Sequence, residues 1–269
     1  MRLIVYDAAK KEIGKKELPV QFSEDIRPDL VKRAVLAIMG NKRQRYGAKE
    51  DAGKRASVRV SKRRRDYRGC YGHGISRVPR KVMSRRGSRM NWQGAFAPGT
   101  VGGREAHPPK AEKIWSKKIN EKERKKAIRS AISATVLADA VSRRGHIIPD
   151  SYPFIVDSKI ESLGKTKDVL DMLEKLGFGK EIERASKKKI RGGKGKMRGR
   201  KYVVKKGPLI VVSRNCELVN ASRNIPGVDA VEVKKLNAML LAPGASVGRA
   251  ALWTDKAVEL LEKERLFLS

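Results

Sequence analysis

A chain of 269 residues with 40% hydrophobic content can bury a real core in one or two domains. Its 63 Lys and Arg against 29 Asp and Glu leave a net charge of +34, far beyond the magnitude of about 2–8 that keeps a small domain soluble. A compact state repels itself at that charge unless a polyanion neutralises it, which sets aside a merely solvated charged face and brings nucleic acid forward.

Other totals narrow the class further. Aromatic residues make up 5% of the chain, which argues against recognition mainly by stacking bases on aromatic platforms. Cys70 and Cys216 stand far apart in different contexts. A disulfide framework is not expected, and a reducing compartment fits. The apolar run at residues 3–6 is too short for a signal-peptide core. No run approaches the ~18 apolar residues of a membrane helix, so the expectation is a cytoplasmic protein with no membrane partner.

In chain order, residues 2–6 read as a strand. Residues 29–39 read as a helix, with Leu30, Val31, Ala34, Val35, Ile38 and Met39 along one face, Pro28 at its start and Gly40 at its end. Residues 41–109 break the pattern. They carry Lys42-Arg43-Gln44-Arg45, Lys62-Arg63-Arg64-Arg65 and Ser84-Arg85-Arg86, with Gly69, Gly72, Gly74, Gly87, Gly94, Gly99, Gly102 and Gly103 between and after them. Such a segment cannot bury enough apolar surface to offset its own ordering entropy. It also far exceeds the ~2–6 residues of an ordinary connection.

Residues 120–143 then read as one long helix, with Asn120 and Glu123 as a capping box and Arg143, Arg144 and Gly145 at its end. Residues 153–156 read as a short strand and 166–176 as a helix ending at Gly177. Residues 208–213 form a nearly continuous apolar run, the mark of a strand covered on both faces of a parallel sheet. A strand at 228–233 and a helix at 254–265 capped by Thr254 complete the pattern. Alternating strands and helices on both sides of the basic segment define one α/β domain, residues 1–40 and 110–269, with 41–109 as an excursion.

A second basic cluster lies at 187–201, inside a loop spanning residues 184–206. Its glycines let backbone N–H groups approach phosphates while its cations supply charge. Nucleotide-loop motifs fail on spacing. Lys196 is followed by Met197 where a P-loop needs Ser or Thr, Lys159 stands where the first P-loop glycine before Gly164-Lys165-Thr166 would be, and Arg198 takes the place of the third dinucleotide-loop glycine. Cys70 and His73 have a metal-ligand spacing but no second pair among Cys216, His107 and His146, so their spacing reads as chance. Acidic residues on the predicted helices, among them Glu121, Glu123, Glu174, Glu259 and Glu262, read as solvent-facing, and no catalytic constellation stands out. Cys216 reads as a small buried hydrophobe and Trp253 as core. Trp92, in the excursion, is a candidate to stack on a base or pack against a partner protein.

Several stretches line up with one family. Gly103-Arg104-Glu105-Ala106-His107-Pro108-Pro109-Lys110-Ala111-Glu112 leads towards Asn120-Glu121-Lys122-Glu123-Arg124. Gly193-Lys194-Gly195-Lys196-Met197-Arg198-Gly199-Arg200, then Ala221-Ser222-Arg223-Asn224-Ile225-Pro226-Gly227-Val228, then Leu241-Ala242-Pro243-Gly244 follow in that order. Together these closely resemble the universal large-ribosomal-subunit protein four, the L-four family, in its archaeal form, over essentially the whole chain. The lack of the long C-terminal extension of eukaryotic members points the same way.

The resemblance implies a three-layer α/β/α domain with a mainly parallel sheet, plus a long non-globular basic extension threading through rRNA. It implies a structural, non-enzymatic constituent of the cytoplasmic ribosome that binds large-subunit rRNA, supports assembly and lines part of the nascent-peptide exit tunnel. The expected protein neighbours include the L-twenty-two family. No cofactor and no small-molecule substrate are expected, only Mg2+ that accompanies rRNA. The candidate rRNA contacts are Arg43, Arg45, Arg55, Lys62, Arg63, Arg64, Arg65, Arg68, Arg77, Arg80, Arg85, Arg86, Arg89, Trp92, Arg104 and Lys110 in the excursion, with Lys188, Arg191, Lys194, Lys196, Arg198, Arg200 and Lys201 in the second loop. Residues 72–92 are implied at or near the extension tip, with Gly72, His73, Gly74, Ile75 and Arg77 as tunnel candidates. Where the family often has Gly-Thr-Gly-Arg, this chain has Gly72-His73-Gly74-Ile75, its arginine displaced to Arg77. The alternatives that the residues themselves leave open are an RNA-modifying or RNA-processing enzyme with a basic substrate arm, and a DNA-compacting protein.

Overall fold

The computed structural model describes residues 1–268. The chain forms two compact units, Met1–Lys42 with the chain from Ser116 onward, and Arg43–Trp115. In order, the elements are β1 (Arg2–Tyr6), β2 (Glu12–Glu17), α1 (Pro28–Asn41), β3 (Arg80–Arg86), β4 (Arg89–Gly94), α2 (Glu121–Val136), α3 (Ala138–Arg143), β5 (Ile155–Val156), α4 (Thr166–Lys175), α5 (Gly179–Ser186), β6 (Lys189–Ile190), β7 (Tyr202–Val203), β8 (Leu209–Val212), α6 (Glu217–Ser222), β9 (Asp229–Glu232), α7 (Ala238–Leu241), β10 (Ala251–Thr254) and α8 (Asp255–Lys263).

The first unit is α/β. Its six-stranded sheet runs β2-β1-β5-β10-β8-β9. The hairpin β1–β2 is antiparallel and every other pairing is parallel. Side chains alternate across each strand, so the sheet carries a hydrophobic cluster on each face. Leu209 and Val211 of β8 join Val31, Val35, Ile132, Val258 and Leu261 on one face. Ile210 and Val212 join Phe154, Val169, Leu173 and Leu218 on the other. This is the three-layer arrangement, and it explains why β8 is apolar at four successive positions, all buried.

Three local readings of the sequence need correction. Residues 120–143 are two helices, broken at Leu137, whose backbone is extended (φ −87°, ψ 107°). Two contacts draw the last turn of α2 away from the helical ladder. Thr135 Oγ1 donates back to Ile132 O at 2.7 Å, and Tyr152 Oη donates to the Thr135 carbonyl. The capping box does not form either: the Asn120 side chain makes no cap bond, and Glu123 pairs with Arg33 at 3.1 Å. Of the helical acids read as solvent-facing, Glu123 and Glu259 are half-buried, the latter bonded to Lys16 at 2.8 Å. Thr254 caps α8 as its sequence implies, accepting from the Ala257 N–H. Trp253 is buried against Phe22.

Candidate nucleic-acid interface

Charge is concentrated in two places. Residues 43–115 carry twenty Lys and Arg against five Asp and Glu, a net +15. Residues 187–206 carry eleven Lys and Arg and no acid, a net +11. The other 176 residues carry the remaining +8.

The arm, Arg43–Trp115, is almost coreless: Ser61, Gly69, Cys70 and Ala95 are its only buried residues. Backbone contacts hold it. Its outgoing and returning limbs lie side by side, with the Ala48 N–H donating to Pro109 O at 2.9 Å. Glycine permits the approach. A Cβ on Gly47 would come within 2.8 Å of Ala111 N, and one on Gly53 within 2.4 Å of Arg104 N. Gly53 also has φ +74°, a conformation that glycine adopts without steric cost. Beyond the limbs, β3 and β4 form an antiparallel hairpin that turns at Gly87 (φ 58°), and Arg59 and Arg80 exchange backbone hydrogen bonds at 3.0 and 3.1 Å along its edge. Asp66 anchors the arginine-rich turn. Its carboxylate accepts from Ser61 Oγ and its carbonyl from the Gly69 N–H at 3.0 Å. The Ser61 bond, ahead of the nearby Arg59 and Arg63, lowers the Asp66 pKa.

The structure pairs the arm's arginines with its aromatic rings. Arg43 lies 3.6 Å from the Trp115 ring centre, and Tyr46 stacks on Trp115 at 5.8 Å. Arg77 sits over Tyr71 at 5.1 Å and donates to its hydroxyl at 3.0 Å. Arg68 and Arg85 approach Tyr67 at 5.4 and 5.7 Å, and Arg80 approaches Trp92 at 6.0 Å. These lie within cation–π range. Held this way, a guanidinium keeps N–H donors at its edge for phosphate.

Of the other candidates, Arg45, Arg55, Lys62, Arg63, Arg64, Arg65, Arg86, Arg89 and Lys110 are solvent-exposed or nearly so, and Arg104 is half-buried. Gly72, His73 and Gly74 are exposed in a turn separate from the β3–β4 hairpin, with φ +78° at Gly72 and +66° at Gly74, while Ile75 is half-buried. Tyr46, Tyr67, Tyr71 and Trp115 were not among the candidates. Their signal was local: six of the fourteen aromatic residues fall within 43–115, each of these four within three residues of a Lys or Arg.

The second basic loop is a hairpin, β6–β7, whose turn holds Lys194, Lys196 and Arg198 exposed. The Arg191 backbone N–H donates to Lys201 O and its side-chain Nε to Arg200 O, both at 2.8 Å. Lys188 and Lys201 flank Tyr202 at 6.0 and 5.4 Å. Elsewhere, Cys70 and Cys216 are both free. Cys216 is half-buried rather than buried, and burial pushes its thiol pKa up. Among the described residues no group of three or more His, Cys, Asp or Glu is placed to hold a metal ion, and no helix is long and apolar enough to cross a membrane.

Fold and surface together define a basic α/β protein that carries its surplus charge on a nearly coreless arm and a second hairpin. A model of the ribosomal protein L4/L1 family matches residues 16–264, and the chain belongs to that family. It is of the archaeal type. It is 50% identical over 268 residues to large ribosomal subunit protein uL4 of Nanoarchaeum equitans, covering 99% of this chain and all of that protein. It is 45% identical to the protein of the same name from Archaeoglobus fulgidus (91% and 92% covered) and 44% identical to that of Methanocaldococcus jannaschii (98% and 99%). These relatives are named as components of a ribosomal subunit, not as enzymes.

Proposed function

We propose that this chain is a structural constituent of the large ribosomal subunit in the cytoplasm, that it binds large-subunit rRNA through the arm and the β6–β7 hairpin, and that it supports assembly. The partition of charge carries the reading. Twenty-six of the +34 charges lie on two insertions that bury almost nothing of their own. An rRNA backbone supplies the counter-charge, and neutralising phosphates releases condensed counterions. The aromatic-backed arginines add planar surfaces against which unpaired bases can stack. Within the same reading, the segment around Gly72–Arg77 lines part of the peptide exit tunnel beside the L-twenty-two family.

Sedimentation of the native protein from lysate through sucrose gradients tests this reading. Co-migration with the large subunit that survives moderately high salt is the expected result. Migration as a free protein, or release at modest salt, would leave a peripheral factor instead.

A further inference from the structure

At the root of the β6–β7 hairpin lies a cleft of about 350 Å³, lined by Arg144, His146, Arg184, Lys205 and Lys206 and bounded by Pro243 and Gly244. Arg184 lies in the last turn of α5, the helix before the hairpin, and Lys205 and Lys206 follow the hairpin's last strand. Behind the cleft, Glu181 is consumed: it accepts from Arg184 Nε at 2.7 Å, lies 2.6 Å from His146 Nδ1, and accepts from the Ile147 N–H at 2.9 Å. Asp229 is likewise consumed by Lys206 at 3.0 Å and by the buried Arg249 at 2.6 Å. Arg144 has no carboxylate partner and donates only to the carbonyls of Ser246 and Pro243. The Lys205 side chain makes no hydrogen bond or ion pair among the described residues. Five cations thus face two carboxylates. Burial, with Arg249 and Arg184 close by, brings the Arg144 pKa down to about 10, the mark of a half-buried site with surplus positive charge.

We propose that this cleft is a phosphate-binding site. The arginines supply edge donors and Lys205 a mobile point charge, the usual complement for phosphate. The volume is ample for a phosphate group with part of its hydration. The phosphate comes either from a nucleic-acid backbone, a case that rests on the rRNA-binding reading, or from the free anion, a case that does not.

The chain has three histidines, so the His146 ring signal of the full-length, histidine-labelled protein is resolvable by NMR. Titration with inorganic phosphate at constant ionic strength is expected to shift it saturably, with chloride having no such effect. Lys205→Gln, at an exposed position without a structural partner, is expected to weaken that binding at least roughly tenfold, as loss of one charge-assisted bond would. If a short structured RNA produces the same shift and phosphate competes with it, the backbone is the source. If RNA leaves the signal unmoved, the free anion is. Absence of a saturable shift with either, or an unchanged response in K205Q, overturns the site. RNA affinity, read separately by fluorescence anisotropy, keeps failure of the rRNA reading distinct from failure of the cleft.

Discussion

Individual residues in this protein do two opposite things with charge. In the arm, charge is left open to solvent; in the α/β body a few charges are buried and saturated. Glu181 is the clearest of the latter. Burial would raise its pKa, yet the bonds from Arg184, His146 and the Ile147 N–H hold it at about 2, below its ordinary value of 4.5. A carboxyl with a depressed folded-state pKa stabilises the fold above its unfolded pKa and loses that contribution as pH falls through the folded value. Glu181→Gln is therefore expected to destabilise the body by about 3–5 kcal/mol at neutral pH, as removal of one partner of a buried pair does. Its deficit against wild type should shrink between pH 4.5 and pH 2. Urea melts of both proteins across that range check this, and a deficit independent of pH would contradict it. Gly53 works by absence of a side chain. Gly53→Ala places a Cβ 2.4 Å from Arg104 N at a positive φ, so the two limbs of the arm must part. RNA affinity is expected to fall while the melting temperature of the body stays unchanged. A lowered melting temperature with intact RNA binding would show the opposite division.

Elements differ in how plainly the sequence announces them. β8 and α8 are legible because an unbroken apolar run and a Thr cap each have one structural meaning. The break at Leu137 is not legible, because it depends on Tyr152, distant in sequence, taking the Thr135 carbonyl. The β3–β4 hairpin is equally hidden. Its first strand, Arg-Lys-Val-Met-Ser-Arg-Arg, shows no apolar alternation, and in the second, Arg-Met-Asn-Trp-Gln-Gly, only Met90 and Trp92 alternate with polar residues, both half-buried. At the candidate interface, the basic clusters stand out in the sequence residue by residue, whereas the rings that hold the arginines are masked by a low aromatic total for the whole chain. Glu181 and its partners escaped notice because a buried acid looks like any other helical Glu in sequence. The β6–β7 hairpin yields a quantitative expectation. Replacing Lys194, Lys196 and Arg198 with Gln should lower the salt slope of RNA binding by about 0.7–0.9 for each phosphate no longer neutralised. Anisotropy titrations over a salt series read that slope, and an unchanged slope would remove the hairpin from the interface.

For the molecule as a whole, every member of the two hydrophobic clusters lies outside residues 43–115. Deleting residues 60–100 is therefore expected to leave a body that still unfolds cooperatively at nearly the wild-type temperature, as calorimetry would show. Loss of the cooperative transition would mean that the arm belongs to the core. In the intact free protein, arm amides are expected to exchange with solvent orders of magnitude faster than those of the sheet, because so little of the arm is buried. Comparable protection in both would contradict this.

The arm leaves after α1 and returns before α2, helices that pack on the same face of the sheet. For a flexible loop, the entropy of bringing its ends together rises only with the logarithm of its length, so each doubling costs about 0.6 kcal/mol. Seventy-three residues of arm thus tax the body scarcely more than half that number would. The fold sets almost no limit on how far the arm extends; its length is free to be fixed by the distance to whatever lies at its far end.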